Sequence, residues 1–365
     1  SAPLGVCVSV FLVHSSVFSC HSALDWFSSY LSDRKQCVLI EDIRSSPTRL
    51  TCGVPQGSVL GPVLFILYTS PLAHIIQLYR INYHFYADDS QLYVSDTPDN
   101  VQTLLSRTSE CYHALKDWMT QNKLQLNDDK TEAILIGTRH KLSNIPPYLT
   151  LQLGASTITL SETVKNLGVI LDNTLSMHDF ISSTVKTCYF HLHRISKIRK
   201  YLSTEATVKL VTSLVLSRID YCNSLLANLP DSRILPLQKL QNNAARLILK
   251  KKKSDNASPL LKALHWLPIS ERILYKILIL CFKSLNNLAP SYLSQSLHLY
   301  TPPRTLRSAS DPVCLRIPRI KLSTVGSRAF TVFAPRSWNT LPLSLRQKPT
   351  LPSFKSSLKT FLFPQ

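Results

Sequence analysis

With 365 residues, 44% of them hydrophobic, the chain has material for two or three folded domains and is not an intrinsically disordered segment. Its net charge of +19 suits either a polyanionic partner or a basic but inert surface, and the excess is one-sided: residues 1–150 carry 11 Lys/Arg and 13 Asp/Glu, residues 151–365 carry 30 and 9. Nine scattered cysteines, no two of them two or three residues apart, exclude a disulfide framework and a zinc module.

The chain begins at Ser1 without an initiator Met and reads as a fragment or a damaged open reading frame. Residues 1–20 are apolar, hold no Asp or Glu, and lack the basic lead of a secretory signal. With reduced thiols, this predicts an intracellular protein of nucleus or cytoplasm that is not secreted. Leu24, Phe27 and Leu31 share one helical face, and Gln36–Ile40 reads as a strand. Gly53-Val54-Pro55-Gln56-Gly57-Ser58 then punctuates a turn, with Ser58 placed to cap the helix that follows. That turn is either an ordinary loop-to-helix junction or a place where backbone N–H groups meet a phosphate or nucleotide. Residues 59–79 approach the apolarity of a membrane span, but Pro62 and Pro71 interrupt them, so they are predicted to form a buried core helix with no membrane partner.

Ile81–Phe85 and Gln91–Val94 are rich in aromatic and β-branched residues, and Tyr86-Ala87-Asp88-Asp89 lies between them. A hairpin with two adjacent carboxylates at its tip is predicted. Such a pair is either a solvated turn or a ligand for a hard divalent cation. Asp99 to Gln121 has helical apolar spacing, and Asp128-Asp129-Lys130 leads to a strand over 133–136. Short strands are expected over 148–172. From Ser176 onward the spacing turns helical and basic: Phe180, Ile181, Val185, Cys188, Leu192 and Ile195 lie opposite Lys186, His191, Arg194, Lys197, Arg199 and Lys200. Helices are predicted at about 204–228 and 232–253, the latter carrying Arg246 and ending in Lys250 to Lys253, with a long apolar helix starting at Ile269. Beyond Pro290 the chain is rich in Pro, Ser and Arg. There Phe330, Phe333 and Trp338 interleave with Arg328 and Arg336, as a base-stacking surface or a core patch.

The Pro-Gln-Gly turn followed by Tyr-Ala-Asp-Asp resembles the reverse transcriptase domain of non-LTR retrotransposons, especially the jockey-like LINE branch. The resemblance runs from Ala23 and continues through the tail motif Ala334-Pro335-Arg336-Ser337-Trp338-Asn339. It implies an α+β fold: a partial right-hand polymerase palm, a small antiparallel sheet within about 36–172, then an all-helical basic thumb and a Pro/Arg-rich C-terminal region. The corresponding divisions are an unplaced segment at 1–20, partial fingers and palm at 21–175, thumb at 176–255 and C-terminal region at 256–365. The implied chemistry is RNA-templated addition of deoxynucleotides to a DNA primer, with two Mg²⁺ ions.

The resemblance makes Asp88 and Asp89 metal ligands, and Pro55, Gln56, Gly57 and Tyr86 the lining of the nucleotide and template pocket. Leu167 and Gly168, inside Val164–Asp172, correspond to the primer-positioning element. Lys130 corresponds to a lysine near the leaving pyrophosphate, although as a residue beside two acids it is equally a solvated lysine. Lys186, Arg194, Lys197, Lys200, Arg246, Lys250 and Lys251 would contact phosphates, while the lysine run also reads as a solvated helix end or a nuclear-import signal. The family carries a further Asp in a Phe-Asp segment upstream of the first helix. Upstream of the turn this chain offers only Asp25, Asp33 and Asp42, none in that context. An inactive polymerase domain is therefore expected. The alternative is a relic that only binds RNA or DNA through its basic half.

Overall fold

The structure is a computed structural model and describes residues 21–54, 57–146, 148–153, 156–301, 313–320 and 324–363. The chain divides into two units at Leu167 and Gly168. Both helices and short antiparallel strands are present, consistent with the α+β class.

The first unit runs α1 (His21–Leu31), β1 (Lys35–Gln36), β2 (Leu39–Ile40), β3 (Ile43–Arg44), β4 (Thr48–Arg49), α2 (Gly61–Thr69), α3 (Pro71–Leu78), β5 (Asn82–Tyr86), β6 (Asp89–Tyr93), α4 (Val101–Gln121), α5 (Arg139–Ser143), β7 (Thr150–Leu153), β8 (Ser156–Thr159) and β9 (Thr163–Asn166). A single sheet was expected. Instead its strands pair as separate two-stranded ribbons: β1 with β4, β2 with β3, β5 with β6 and β7 with β8. The predicted strand over 36–40 is broken at Cys37 and Val38, because β1–β4 and β2–β3 are nested parts of one irregular hairpin. Ser45 closes the gap by exchanging bonds with Val38, and Pro47 offers no N–H to continue the ladder. The strand predicted at 133–136 reduces to one parallel bridge between Ile134 and Ser161.

The apolar stretch at 59–79 is two helices rather than one. Ser58 Oγ accepts the Gly61 N–H at 3.1 Å and Pro62 pre-sets the first turn of α2. Thr69 and Ser70 then turn their hydroxyls back onto helix carbonyls, and Pro71 starts α3. Gly61–Leu78 is long and apolar enough to cross a membrane by length and composition. Leu64, Tyr68, Leu72 and Ile76 are buried, whereas Val63, Ile66 and Leu78 are exposed, so the core-helix expectation holds for one face only. Helix α4 organises this unit by burying two faces: Val101, Leu105 and Tyr112 meet Leu149, Leu151 and Leu153, while Cys111 and Leu115 meet Leu72, Ile76 and Ile81.

The second unit contains β10 (Val169–Asp172), α6 (His178–Ile198), α7 (Thr204–Val211), α8 (Ser217–Asp220), α9 (Asp231–Leu249), α10 (Ser258–Ala263), α11 (Ile269–Leu285), α12 (Ser291–Ser294), α13 (Phe330–Asn339), α14 (Leu343–Arg346) and α15 (Leu351–Leu362). Residues 176–253 hold no strand, as the helical spacing predicts. The helix expected at 204–228 is interrupted by a π-helical turn at Thr212–Leu216 and ends at Asp220. Helix α6 packs on α9, and α11 packs on α9, α13 and α15. One apolar cluster runs from Val169 to Leu358, so residues 256–365 share a core with the helices before them. Trp338 is buried there, and Phe330 and Phe333 pack against the same cluster, which decides for the core reading of these aromatics over base stacking.

Candidate functional site

Asp88 lies in a two-residue turn and Asp89 opens β6, paired with Tyr86 across the hairpin. What places this tip is the end of α3. Arg80 takes the left-handed conformation (φ +52°), and the Ile81 N–H reaches back to the Ile76 carbonyl, so the chain passes straight from α3 into β5. Buried Ile81 anchors the strand. At the tip Ala87 sits at φ +54°, where a residue with a Cβ pays about 1 kcal/mol relative to glycine. Tyr86, Asp88 and Asp89 are all exposed. Gln91 on β6 accepts a hydrogen bond from the Asn166 side chain at 3.1 Å, which ties the strand before Leu167 to the carboxylate hairpin.

Gly57 has φ +81°, a conformation that favours glycine, and among the described residues no atom beyond its chain neighbours lies within 4 Å of where its Cβ would be. Pro55 and Gln56 lie outside the described residues. Lys130 is exposed at the end of a 3-10 turn, Asp128–Lys130, that Asn127 caps. Asp128 is engaged within its own unit. It accepts from the Tyr112 hydroxyl and from Lys116 Nζ at 2.6 Å, and these bonds hold its carboxyl below the usual range. Burial, together with the Asp128 carboxylate, pushes the Tyr112 phenol up to about 12.

A pair of Mg²⁺ ions needs several hard oxygen ligands converging from separate strands. Asp88 and Asp89 are chain neighbours, and no group of three His, Cys, Asp or Glu side chains converges among the described residues. Asp25 is exposed within α1, Asp33 pairs with Arg49 at 2.9 Å, and Asp42 sits at the tip of the β2–β3 hairpin. The donor set of the described residues does not fit a two-ion centre.

In the second unit, Lys186, Arg194, Lys197 and Lys200 are exposed along α6 and the turn after it. Arg194 lies over the exposed Phe190 ring at 5.6 Å, and Lys200 over Tyr201 at 4.7 Å. Lys250 and Lys251 are exposed at the end of α9, where Lys250 adopts the left-handed cap (φ +51°). Two arginines depart from expectation. Arg199, assigned to the polar face, is buried and donates to the carbonyls of Leu202, Leu247 and Ile248, tying the end of α6 to the end of α9. Arg246 spends its guanidinium on the Asp255 carbonyl and the Asn243 side chain, so it holds the loop after α9 instead of facing a phosphate.

Leu167 and Gly168 both have positive φ (+45° and +81°) in a tight turn. Asp172, four residues on and only 8% exposed, had no role readable from the sequence. Its carboxylate accepts from the backbone N–H groups of Thr174, Ser176 and Met177 and from the hydroxyls of Thr174 and Ser176, fixing the loop that launches α6. Burial alone would raise its pKa, but these bonds outweigh it and hold the carboxyl below the ordinary value. Asp172→Asn replaces an acceptor with a donor facing donors and should cost about 1–3 kcal/mol of stability. Because the folded-state pKa is depressed, the carboxylate's contribution is complete above the unfolded value near 4 and is lost as pH falls through the lower folded value. Denaturant melts should therefore show a constant gap between wild type and Asp172→Asn at pH 5–8 that narrows below about pH 4. A gap that widens toward acid would contradict the assignment.

Comparison with known proteins bears on the first unit above all. Residues 12–171 match the family described as Reverse transcriptase (RNA-dependent DNA polymerase). The chain is 29% identical over 188 residues to the probable RNA-directed DNA polymerase from transposon BS of Drosophila melanogaster, covering 50% of this chain and 20% of that protein. It is 27% identical over 234 residues to the probable RNA-directed DNA polymerase from transposon X-element of the same species, covering 60% and 24%. To the RNA-directed DNA polymerase from mobile element jockey of Drosophila funebris it is 24% identical over 201 residues, covering 53% and 21%. The chain thus spans about a fifth to a quarter of the length of these relatives. The match over residues 12–171, which contain the Tyr86–Asp89 hairpin, together with these relatives, supports a reverse transcriptase domain similar to those of the jockey-like non-LTR elements.

Proposed function

We propose that this chain is a nucleic-acid-binding protein built on a reverse transcriptase domain, one that grips an RNA–DNA template–primer duplex without completing the polymerase reaction. Residues 21–175 supply partial fingers and palm. In the second unit the helices from α6 to α9 act as thumb. Gln56, Gly57 and Tyr86 belong to the ancestral nucleotide and template pocket, Leu167 and Gly168 to the primer-positioning turn, Lys130 to the leaving-group side, and Asp88 and Asp89 to the Mg²⁺ site. The protein works where its nucleic acid resides, in nucleus or cytoplasm.

The observation that carries this reading is the segregation of charge. Residues 168–365 hold 29 Lys/Arg against 8 Asp/Glu, and four of the cations stand exposed, three on α6 and one in the turn after it, beside two exposed aromatic rings. Phosphate contacts by such a surface release counterions, so affinity falls with salt. Four neutralised phosphates give a slope of about −3.5 in log K against log salt. Filter binding of the full chain to an RNA–DNA duplex should therefore weaken about 100-fold between 50 and 200 mM salt, with little dependence on sequence. Binding that is flat across this range would overturn the proposal.

A further inference from the structure

Beside the basic side of α6 lies a groove of about 420 Å³, walled by Gly168, Ile170, Phe180, Ser183, Thr184 and Thr187 on one side and by Ser217, Arg218 and Tyr221 on the other. Its polar groups are hydroxyls and one guanidinium. Elsewhere in this chain, helical threonines such as Thr108, Thr120, Thr207 and Thr360 spend their hydroxyls on the carbonyl one turn back. Ser183, Thr184 and Thr187 make no such bond among the described residues, and their hydroxyls remain available to a ligand. Arg218 is exposed and no acid pairs with it among the described residues. Tyr221, 48% exposed, lays its ring along Gly168, where an added Cβ would meet it at 3.6 Å.

The backbone arranges these groups deliberately. The π-helical turn at Thr212–Leu216 inserts an extra residue immediately before Ser217 and Arg218 and so rotates them relative to α7. Such bulges are concentrated at functional sites. Along α6 the groove also continues into the basic track. Ser183, Thr187, Phe190, Arg194 and Lys197 recur at three- and four-residue spacing on one side of the helix. At 1.5 Å per residue that track is about 21 Å long, roughly six phosphate steps of one duplex strand.

We propose that this groove is a binding site for one nucleotide of a nucleic-acid strand. Arg218 and the hydroxyls of Ser183, Thr184 and Thr187 hold its phosphodiester, and Tyr221 stacks on its sugar or base. Arginine, hydroxyl and tyrosine side chains are the usual phosphate contacts, and a guanidinium adds both charge and directed N–H groups. The strand then runs along α6 toward Lys197. This inference rests on the reading that the second unit binds nucleic acid, and it assigns residues that the basic face alone does not identify.

The test is fluorescence anisotropy of the full chain on a labelled RNA–DNA duplex across salt, comparing wild type with Arg218→Ala, Arg218→Lys, Tyr221→Ala and Tyr221→Phe. A separate triple variant, Lys186→Ala with Arg194→Ala and Lys197→Ala, probes the track. Arg218→Ala should weaken binding about 5- to 10-fold and reduce the salt slope by about one, with Arg218→Lys recovering the slope. Tyr221→Ala should weaken it at least about 5-fold with the slope unchanged, and Tyr221→Phe should retain it. If the triple variant loses affinity while every Arg218 and Tyr221 variant binds as wild type, the groove is not a site although the second unit still binds nucleic acid. If wild type shows no salt-dependent binding, the broader reading fails and the groove assignment falls with it. A readout independent of affinity is photocrosslinking of a 5-iodouracil-substituted strand to the wild-type chain. Adducts should map to Tyr221, and adducts confined to other aromatic residues would overturn the assignment.

Discussion

The purified chain should add no deoxynucleotide to a primer on an RNA template, with Mg²⁺ or Mn²⁺ present. Phosphoryl transfer relies on positioning and charge stabilisation more than on covalent chemistry, and a single electrostatic element of such a site is worth about 10³-fold or more. Here the carboxylates are Asp88 and Asp89, exposed neighbours on one turn, and no third acidic, histidine or cysteine side chain joins them among the described residues. Residues 1–20 contain no Asp or Glu to supply one. Extension should thus fall below detection in a gel assay that resolves single additions. Fusing a strand that carries an Asp upstream of residue 21 should be necessary for any rescue. If the chain as it stands extends primers, and Asp88→Ala abolishes that extension, a donor exists that this arrangement does not reveal and the inactive reading is wrong.

Replacing Trp338 or Phe354 with alanine should destabilise the whole second unit by about 3–5 kcal/mol each. The two rings and Phe282 are the largest fully buried side chains among the described residues. Phe354 stacks on Phe282 with centroids 4.5 Å apart, Trp338 lies 5.7 Å from Phe354, and its indole N–H donates to the Val313 carbonyl at 2.8 Å. Neither ring has room to be replaced by water without leaving apolar surface unpartnered, so truncation leaves a cavity. Because α11 also packs on α9, and α9 on α6, the loss should propagate to the helices that carry the basic track. Denaturant unfolding followed by far-UV circular dichroism should give one transition for residues 168–365, shifted as a whole in each variant. Two transitions, with helices α6 to α9 keeping their wild-type midpoint in Trp338→Ala, would show that the C-terminal helices are an independent appendage.

Much of this molecule was written locally in the chain. The turn at Ala87 and Asp88 follows from two aromatic and β-branched runs with period-two spacing and a short polar joint between them, and the structure pairs Tyr86 with Asp89 accordingly. Helices α4, α6, α9 and α11 follow from apolar spacing of 3.6 residues, and Ser58 marks the start of α2. The charge imbalance between the two halves needs no structure at all. Such features depend on groups within about one helical turn or one strand pair of each other, and that is the range over which a sequence pattern speaks directly.

What the sequence left open depended on partners far along the chain. The strand predicted at 36–40 formed only as two short paired pieces, and that at 133–136 only as the Ile134–Ser161 bridge, because a strand exists only where another backbone hydrogen-bonds to it. Arg199 reads as one more cation on a polar helix face, yet the carbonyls that take it inside lie 48 and 49 residues away. Arg246 sits in a basic run, yet its donors are consumed by the carbonyl of Asp255. Trp338 and Phe354 lie in a basic tail, yet Phe354 stacks on Phe282, more than fifty residues upstream, and all three rings belong to one core. Composition, charge, turn chemistry and the Tyr-Ala-Asp-Asp hairpin were determined by the sequence alone. Which cations face solvent, which aromatics are core, and which hydroxyls stay unspent beside Arg218 were decided only by the tertiary structure, because burial and hydrogen-bond partnership are properties of what the fold brings together.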